Sequence, residues 1–349
     1  MDLPTLWFVL LAVLWTGYLV LEGFDFGVGM LFPVLGGRAF AADAQDAEKR
    51  RRVLLNTIGP VWDGNEVWVI TAGGATFAAF PHWYATMFSG FYLPLLLILV
   101  ALILRNLGID YRHKRPEQAW KGRWDKAIFW GSLAPAFLWG VALTNVVRGV
   151  PIDARKEFTG NLFTLLGPVG LLGGLVFVAL FLTHGAIFVA LKTDGPVRAD
   201  ARRVAALTGT VALALAGALL LVLGLGQGKP ASWATSAVAA LAFAAALLAN
   251  ARGREGWAFT GTAVTIASSV ATYFLLLYPN VMPSTISPAY NLTIDNAAST
   301  SYTLTVMSIV AAVFTPVVVL YQGWTYWVFR KRLTAQHIPE DVHLQAAAR

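Results

Sequence analysis

The chain has no cysteine. Disulfides, thiolate metal sites and thiol nucleophiles are therefore excluded. Charge is scarce as well, at 13% of 349 residues, against roughly 25% in an average soluble domain. There are only five histidines. One of them, His184, lies within an apolar block, with no second His or Met three or four positions away. A lone histidine of that kind is expected to be a hydrogen-bonded helix-packing group, so the sequence offers no paired-histidine haem or metal site of its own. The start, MDLPTLWFVL, lacks a basic n-region and a small-residue cleavage site, and reads as a retained first span.

What the chain has is apolar length. Hydrophobic residues make up 57%, in blocks of about 20 residues, each long enough to cross a hydrocarbon core of about 30 Å. The blocks are apolar all round and show no stripe of a soluble amphipathic helix. The expected fold class is all-α: a polytopic membrane protein of about nine transmembrane helices, in two helical bundles plus one peripheral helix. The whole of 1–349 reads as a single integral membrane domain. Helices are expected at about 5–35, 55–80, 83–106, 126–147, 162–191, 203–224, 234–250, 257–278 and 303–329.

Charge placement orients these spans. With the N-terminus outside, the outward connections hold only Arg148, Arg155, Lys156 and Lys229 of the 26 Lys and Arg. The rest fall in 36–54, 105–126, 192–203, 251–256 and the tail after Phe329, which predicts an N-out, C-in topology. The formal charge of +7 is thus a topology signal and does not point to a nucleic-acid partner.

The polar groups inside the spans are concentrated in helices 1–3, over 5–106, whereas 203–329 is mainly apolar. Helix 1 carries Glu22 and Asp25 in LEGFDFGVGM, helix 2 carries Asp63 and Glu66 in VWDGNEVWV, and Arg105 closes the third. Ionisable groups at such depth cost at least about 2.5–3.5 kcal/mol, which makes each a functional candidate. A rise of about 1.5 Å per residue puts Glu22 and Asp25 about 4–9 Å, Glu66 about 2 Å, Asp63 about 6 Å and Arg105 about 15 Å to the cytoplasmic side of their helix centres. Three readings fit the ladder: a proton half-channel with Arg105 at its mouth, helix anchoring, or a cation site. Trp62 and Trp68 flank the acids and either line a passage or pack. Gly23 and Gly27, Gly73 and Gly74, and the GLLGG of 170–174 read as helix-packing positions. A proton- or cation-coupled secondary transporter is the reading from another class. The inverted repeats and paired broken helices that many transporters show are not evident.

Taken together, LEGFDFGVGM, NTIGPVWDGNEVWVITAGGATFAAFP, SGFY at 89–92, LRNLGIDYR, TGN at 159–161, YPNVMPS and YTLTVM resemble subunit II of cytochrome bd-type quinol oxidase. The likeness runs from the first span to the last. It implies a heterodimer in the bacterial plasma membrane that oxidises quinol and reduces dioxygen to water, as part of respiratory electron transport. Two haems b, one haem d and the quinol site then belong to the partner, subunit I. This chain is expected to bind no metal or cofactor and to carry no catalytic residue. A small accessory subunit, membrane lipid and quinone are the other implied partners. By the same resemblance Asp63 lies on the proton path, with Glu22, Asp25, Arg105 and Glu66 in that region, and Trp68 stands near an oxygen passage.

Overall fold

The computed structural model describes residues 2–334 and 338. Helix α1 (Leu3–Leu35) starts where the Asp2 side chain accepts from the Thr5 amide at 3.0 Å, with Pro4 in the first turn. It is followed by α2 (Ala44–Ile58) and α3 (Trp62–Ala79), then α4 (Pro81–Gly90) and α5 (Tyr92–Tyr111). Next come α6 (Gln118–Arg148), the single turn α7 (Leu162–Leu165), α8 (Pro168–Lys192) and α9 (Gly195–Gln227). The chain closes with α10 (Pro230–Ala251), α11 (Glu255–Leu277) and α12 (Ser301–Val328).

Three expected spans are broken, each for a local reason. Pro60 has no amide hydrogen and restricts Gly59, so the run expected over 55–80 divides into α2 and α3. Pro94 removes a ladder bond near Gly90, and the run expected over 83–106 parts at Phe91. Gly167-Pro168 separates α7 from α8. Conversely, α6 and α9 continue beyond their apolar runs into polar sequence. Among the described residues, eight helices are long and apolar enough to cross a membrane: α1, α5, α6, α8, α9, α10, α11 and α12. α3 begins with the polar WDGNE and falls outside that set, but its 18 residues span about 27 Å, and it packs on α1 and α12. α3 stands at the position of the second of the nine expected spans.

α1 is the hub, packing on α3, α6, α8 and α11. The pairs α5–α6, α8–α9 and α10–α11 are hairpins. A close approach joins α1 to α8, where a Cβ added at Gly27 would sit 2.7 Å from the Cα of Gly185. Glycines of GLLGG pack in the same way, Gly173 against Gly140 and Thr144 and Gly174 against Phe137. Gly73 and Gly74 do not: nothing in the chain lies within 4 Å of a Cβ placed there, because they face outward from α3. α12 is peripheral, with Leu304 its one buried residue and Ile309, Phe314, Val317 and Leu320 well exposed.

Basic residues that orient the spans also hold the cytoplasmic ends together. Arg112 binds Glu48 of α2 through two bonds of 2.9 and 2.7 Å, and also pairs with Asp125 of α6. Arg50 reaches Asp200 of α9 at 2.8 Å, and Arg198 and Arg332 reach Glu255 at 2.8 and 3.2 Å. On the opposite face β1 (Asn280–Met282) and β2 (Leu292–Thr293) fold the long outward loop into a short antiparallel ladder.

Candidate functional site

Glu22 and Asp25 stand three apart on α1 and so share a face. Both are fully buried. Arg105 of α5 is buried as well and pairs with Glu22, its guanidinium 5.1 Å from the centre of the Phe26 ring. The sequence reading put Arg105 at the mouth of a half-channel. The break at Phe91 moves the frame of the helix: α5 runs from Tyr92 to Tyr111, so Arg105 lies about one turn from its middle.

The WDGNE segment forms the first turn and a half of α3, and its acids separate. Glu66 is half-buried and accepts from Asn106 Nδ2 of α5 at 2.7 Å. Asp63 is exposed and makes no hydrogen bond or ion pair with the described residues. Its electrostatic neighbour is Asp110, also exposed. Asp63 and Glu66 therefore do not share one environment, although their spacing puts them on one side of the helix. The rim of the protein passes between them. In the first turn of a helix Asp63 also meets the positive end of the helix dipole, which accounts for a carboxylate there without any further role.

Between these acids lies Asn65, fully buried. Its Nδ2 donates to Asp25 Oδ2 at 2.7 Å. Its Oδ1 accepts from Tyr326 OH at 2.6 Å and from Gln322 Nε2 at 3.2 Å, both on α12. Gln322 Oε1 in turn accepts from Trp68 Nε1 at 2.8 Å. Trp68 packs its ring against Gly17 of α1. Trp62 is buried in the cytoplasmic-side core with Phe24, Ile58 and Phe188. Asn106, Asp110, Gln322 and Tyr326 were not singled out in the sequence. A signal existed for Gln322, an amide within the apolar run VVVLYQGW.

Several polar atoms of this region find no partner among the described residues: Glu22 Oε2, Asp25 Oδ1, Arg105 Nε and Nη2, and Asn106 Oδ1. A buried donor or acceptor costs about 1–3 kcal/mol when unsatisfied, and groups in such number call for internal water or groups from another chain.

The histidines do not suit an iron. His184 Nε2 lies 3.0 Å from the Val20 carbonyl, which can only accept, and Nδ1 lies 2.6 Å from Thr262 Oγ1. Both ring nitrogens are thereby committed, and the ring stacks on Phe259 with centroids 4.7 Å apart. His82 and His113 are exposed, and His337 and His343 lie outside the described residues. Among the described residues no cluster of three His, Asp or Glu is arranged to hold a metal. Among the described residues the histidines do not come together as a haem ligand set.

The model of the family described as cytochrome bd terminal oxidase subunit II matches residues 3–329. This chain belongs to the cytochrome bd oxidase subunit II family. The subunit is 41% identical over 338 residues to cytochrome bd ubiquinol oxidase subunit 2 of Bacillus subtilis, covering 95% of this chain and 97% of that one. It is 37% identical over 376 residues to cytochrome bd-I ubiquinol oxidase subunit 2 of Escherichia coli K12, covering 97% of each. In fold it is similar to a chain of the bd oxidase from Geobacillus thermodenitrificans, with a TM-score of 0.75 at 18% identity over 95% of this chain and all of that one. As a bd oxidase subunit II, it is a multi-pass bacterial membrane protein that works in a complex with subunit I. The complex is an oxidoreductase, a quinol oxidase with haem cofactors, and catalysis belongs to the complex. The transporter reading falls with that assignment.

Proposed function

We propose that this subunit supplies a cytoplasm-side proton route to the oxidase and supports a partner that holds the haems and the quinol site. The observation that carries the reading is the set of unpartnered buried polar atoms on Glu22, Asp25, Arg105 and Asn106. Such a set suits a hydrated passage better than a dry anchor. In this reading Asp63 and Asp110 collect protons at the exposed rim, and Glu66 with Asn106 forms the next station. Asp25 and the Glu22–Arg105 pair lie innermost. The same pair also ties α1 to α5, so anchoring and proton transfer are shared among these groups. Trp68 is retained as the residue nearest an oxygen passage. An accessory subunit, lipid and quinone remain part of the proposed assembly.

The test is Asp63→Asn in the assembled oxidase. A relay predicts slow oxygen reduction with haem absorbance and complex yield unchanged. Loss of the complex from the membrane would favour anchoring instead, and full activity would remove Asp63 from the route.

A further inference from the structure

The hydrogen bonds around Asn65 have a direction. An indole N–H can only donate, so Trp68 Nε1 requires the oxygen of Gln322 at 2.8 Å. That places the Gln322 amide nitrogen toward Asn65, 3.2 Å from Oδ1. Asn65 Oδ1 also receives the Tyr326 hydroxyl at 2.6 Å. With its oxygen holding the Gln322 N–H, Asn65 must turn its nitrogen toward Asp25, 2.7 Å away. A carboxamide has nearly the same shape in either orientation, and only its partners decide which end faces a neighbour. We infer that Trp68 and Gln322 are positioning residues that set the orientation of the Asn65 amide, so that an N–H and not a carbonyl oxygen faces the Asp25 carboxyl; the Tyr326 hydroxyl, which can donate or accept, follows that orientation. The chain of bonds leaves α3 at Trp68, crosses to α12, and returns through Asn65 to α1.

The consequence is chemical. An amide N–H meets an ionised carboxylate as donor to acceptor. An amide oxygen in its place requires Asp25 to carry the proton and donate it. The orientation of Asn65 therefore biases which protonation state of Asp25 the site accommodates. The charged or titratable groups that act on Asp25 are Glu22 on α1, Glu66 on α3 and Arg105 on α5, with Tyr326 on α12 reaching Asn65. None of these reverses the Asn65 amide, because the donor that fixes its oxygen comes from Gln322. α12 is otherwise thinly packed, with Leu304 alone buried, so these bonds account for much of its contact at this level.

This inference rests on the proposal that Asp25 serves proton transfer, and the experiment separates the two. Trp68→Phe keeps the ring against Gly17 and deletes the donor; Gln322→Leu deletes the amide whose nitrogen faces Asn65 Oδ1. Both are made in the intact oxidase, alone and combined with Asp25→Asn, and read by turnover against pH, haem absorbance and complex yield. Expected are turnover slowed roughly five- to tenfold with a displaced pH profile in each single variant, normal haem absorbance, and no further loss on adding either change to Asp25→Asn. If Asp25→Asn itself leaves turnover and pH profile unchanged, the proton role of Asp25 fails and takes this inference with it. If Asp25→Asn is impaired while Trp68→Phe and Gln322→Leu both match wild type, the inference alone is overturned. Additive losses in the double variants also overturn it. Should Trp68→Phe not assemble, Gln322→Leu decides.

Discussion

Arg105 and Glu22 allow a test of how much the buried charge holds the subunit together. Arg105→Met removes a guanidinium that is fully buried and pairs with Glu22 over the Phe26 ring. It leaves Glu22, Asp25 and Glu66 around an apolar side chain. Removing one partner of a buried pair costs about 3–5 kcal/mol, because the other charge stays desolvated. The loss falls toward the lower end where Glu22 can take up a proton. Glu22→Gln is milder: the amide oxygen still accepts from Arg105, which keeps Asp25 and Glu66 as electrostatic partners. A cost of about 1–3 kcal/mol follows from weakening one charge-assisted bond. The double variant should recover part of the Arg105→Met loss, since the uncompensated Glu22 is gone. The assay is survival of the purified complex after graded heating in detergent, followed by haem absorbance, with membrane yield as a control. Equal stability of Arg105→Met and wild type would refute this reasoning, as would greater damage from Glu22→Gln than from Arg105→Met.

Three further predictions concern the frame around the site. Burial raises the Glu48 carboxyl, but hydrogen bonds and charge from Arg112 together with Lys121 outweigh it and hold the group below the ordinary glutamate range. Such a group contributes its stability above its unfolded value near 4.5 and loses it as pH falls through the lower folded value. The melting temperature of the complex should therefore fall as pH drops below about 4.5, and Glu48→Gln should lower it at neutral pH while flattening the acid limb. Gly27→Val should force α1 from α8 and cost at least about 1–3 kcal/mol in a thermal-unfolding assay. A Cβ at Gly73 meets nothing within 4 Å among the described residues, so a loss of complex from Gly73→Ala, with the isolated subunit still folded, would mark the α3 face as covered by the partner.

Much of this protein was legible without coordinates. The length of the apolar runs and the one-sided placement of Lys and Arg determine that the chain crosses the membrane repeatedly and in which sense, because both are set by the bilayer and act on each segment separately. The all-α class and the family resemblance follow at the same level; which helix is peripheral does not. Even the breaks at Pro60, Pro94 and Gly167-Pro168 obey local backbone rules, though an apolar run hides them. What only the tertiary structure decided is how side chains on different helices meet. Arg105 moved from mouth to interior once the true ends of α5 were known. Asp63 and Glu66 parted company because α1 and α5 cover one and not the other. Trp68 and Gln322, 254 residues apart, share a bond that no spacing rule anticipates. The rotation of each helix about its own axis selects such contacts. That rotation is set by close approaches such as Gly27 on Gly185, which are a property of pairs of helices and not of any one segment.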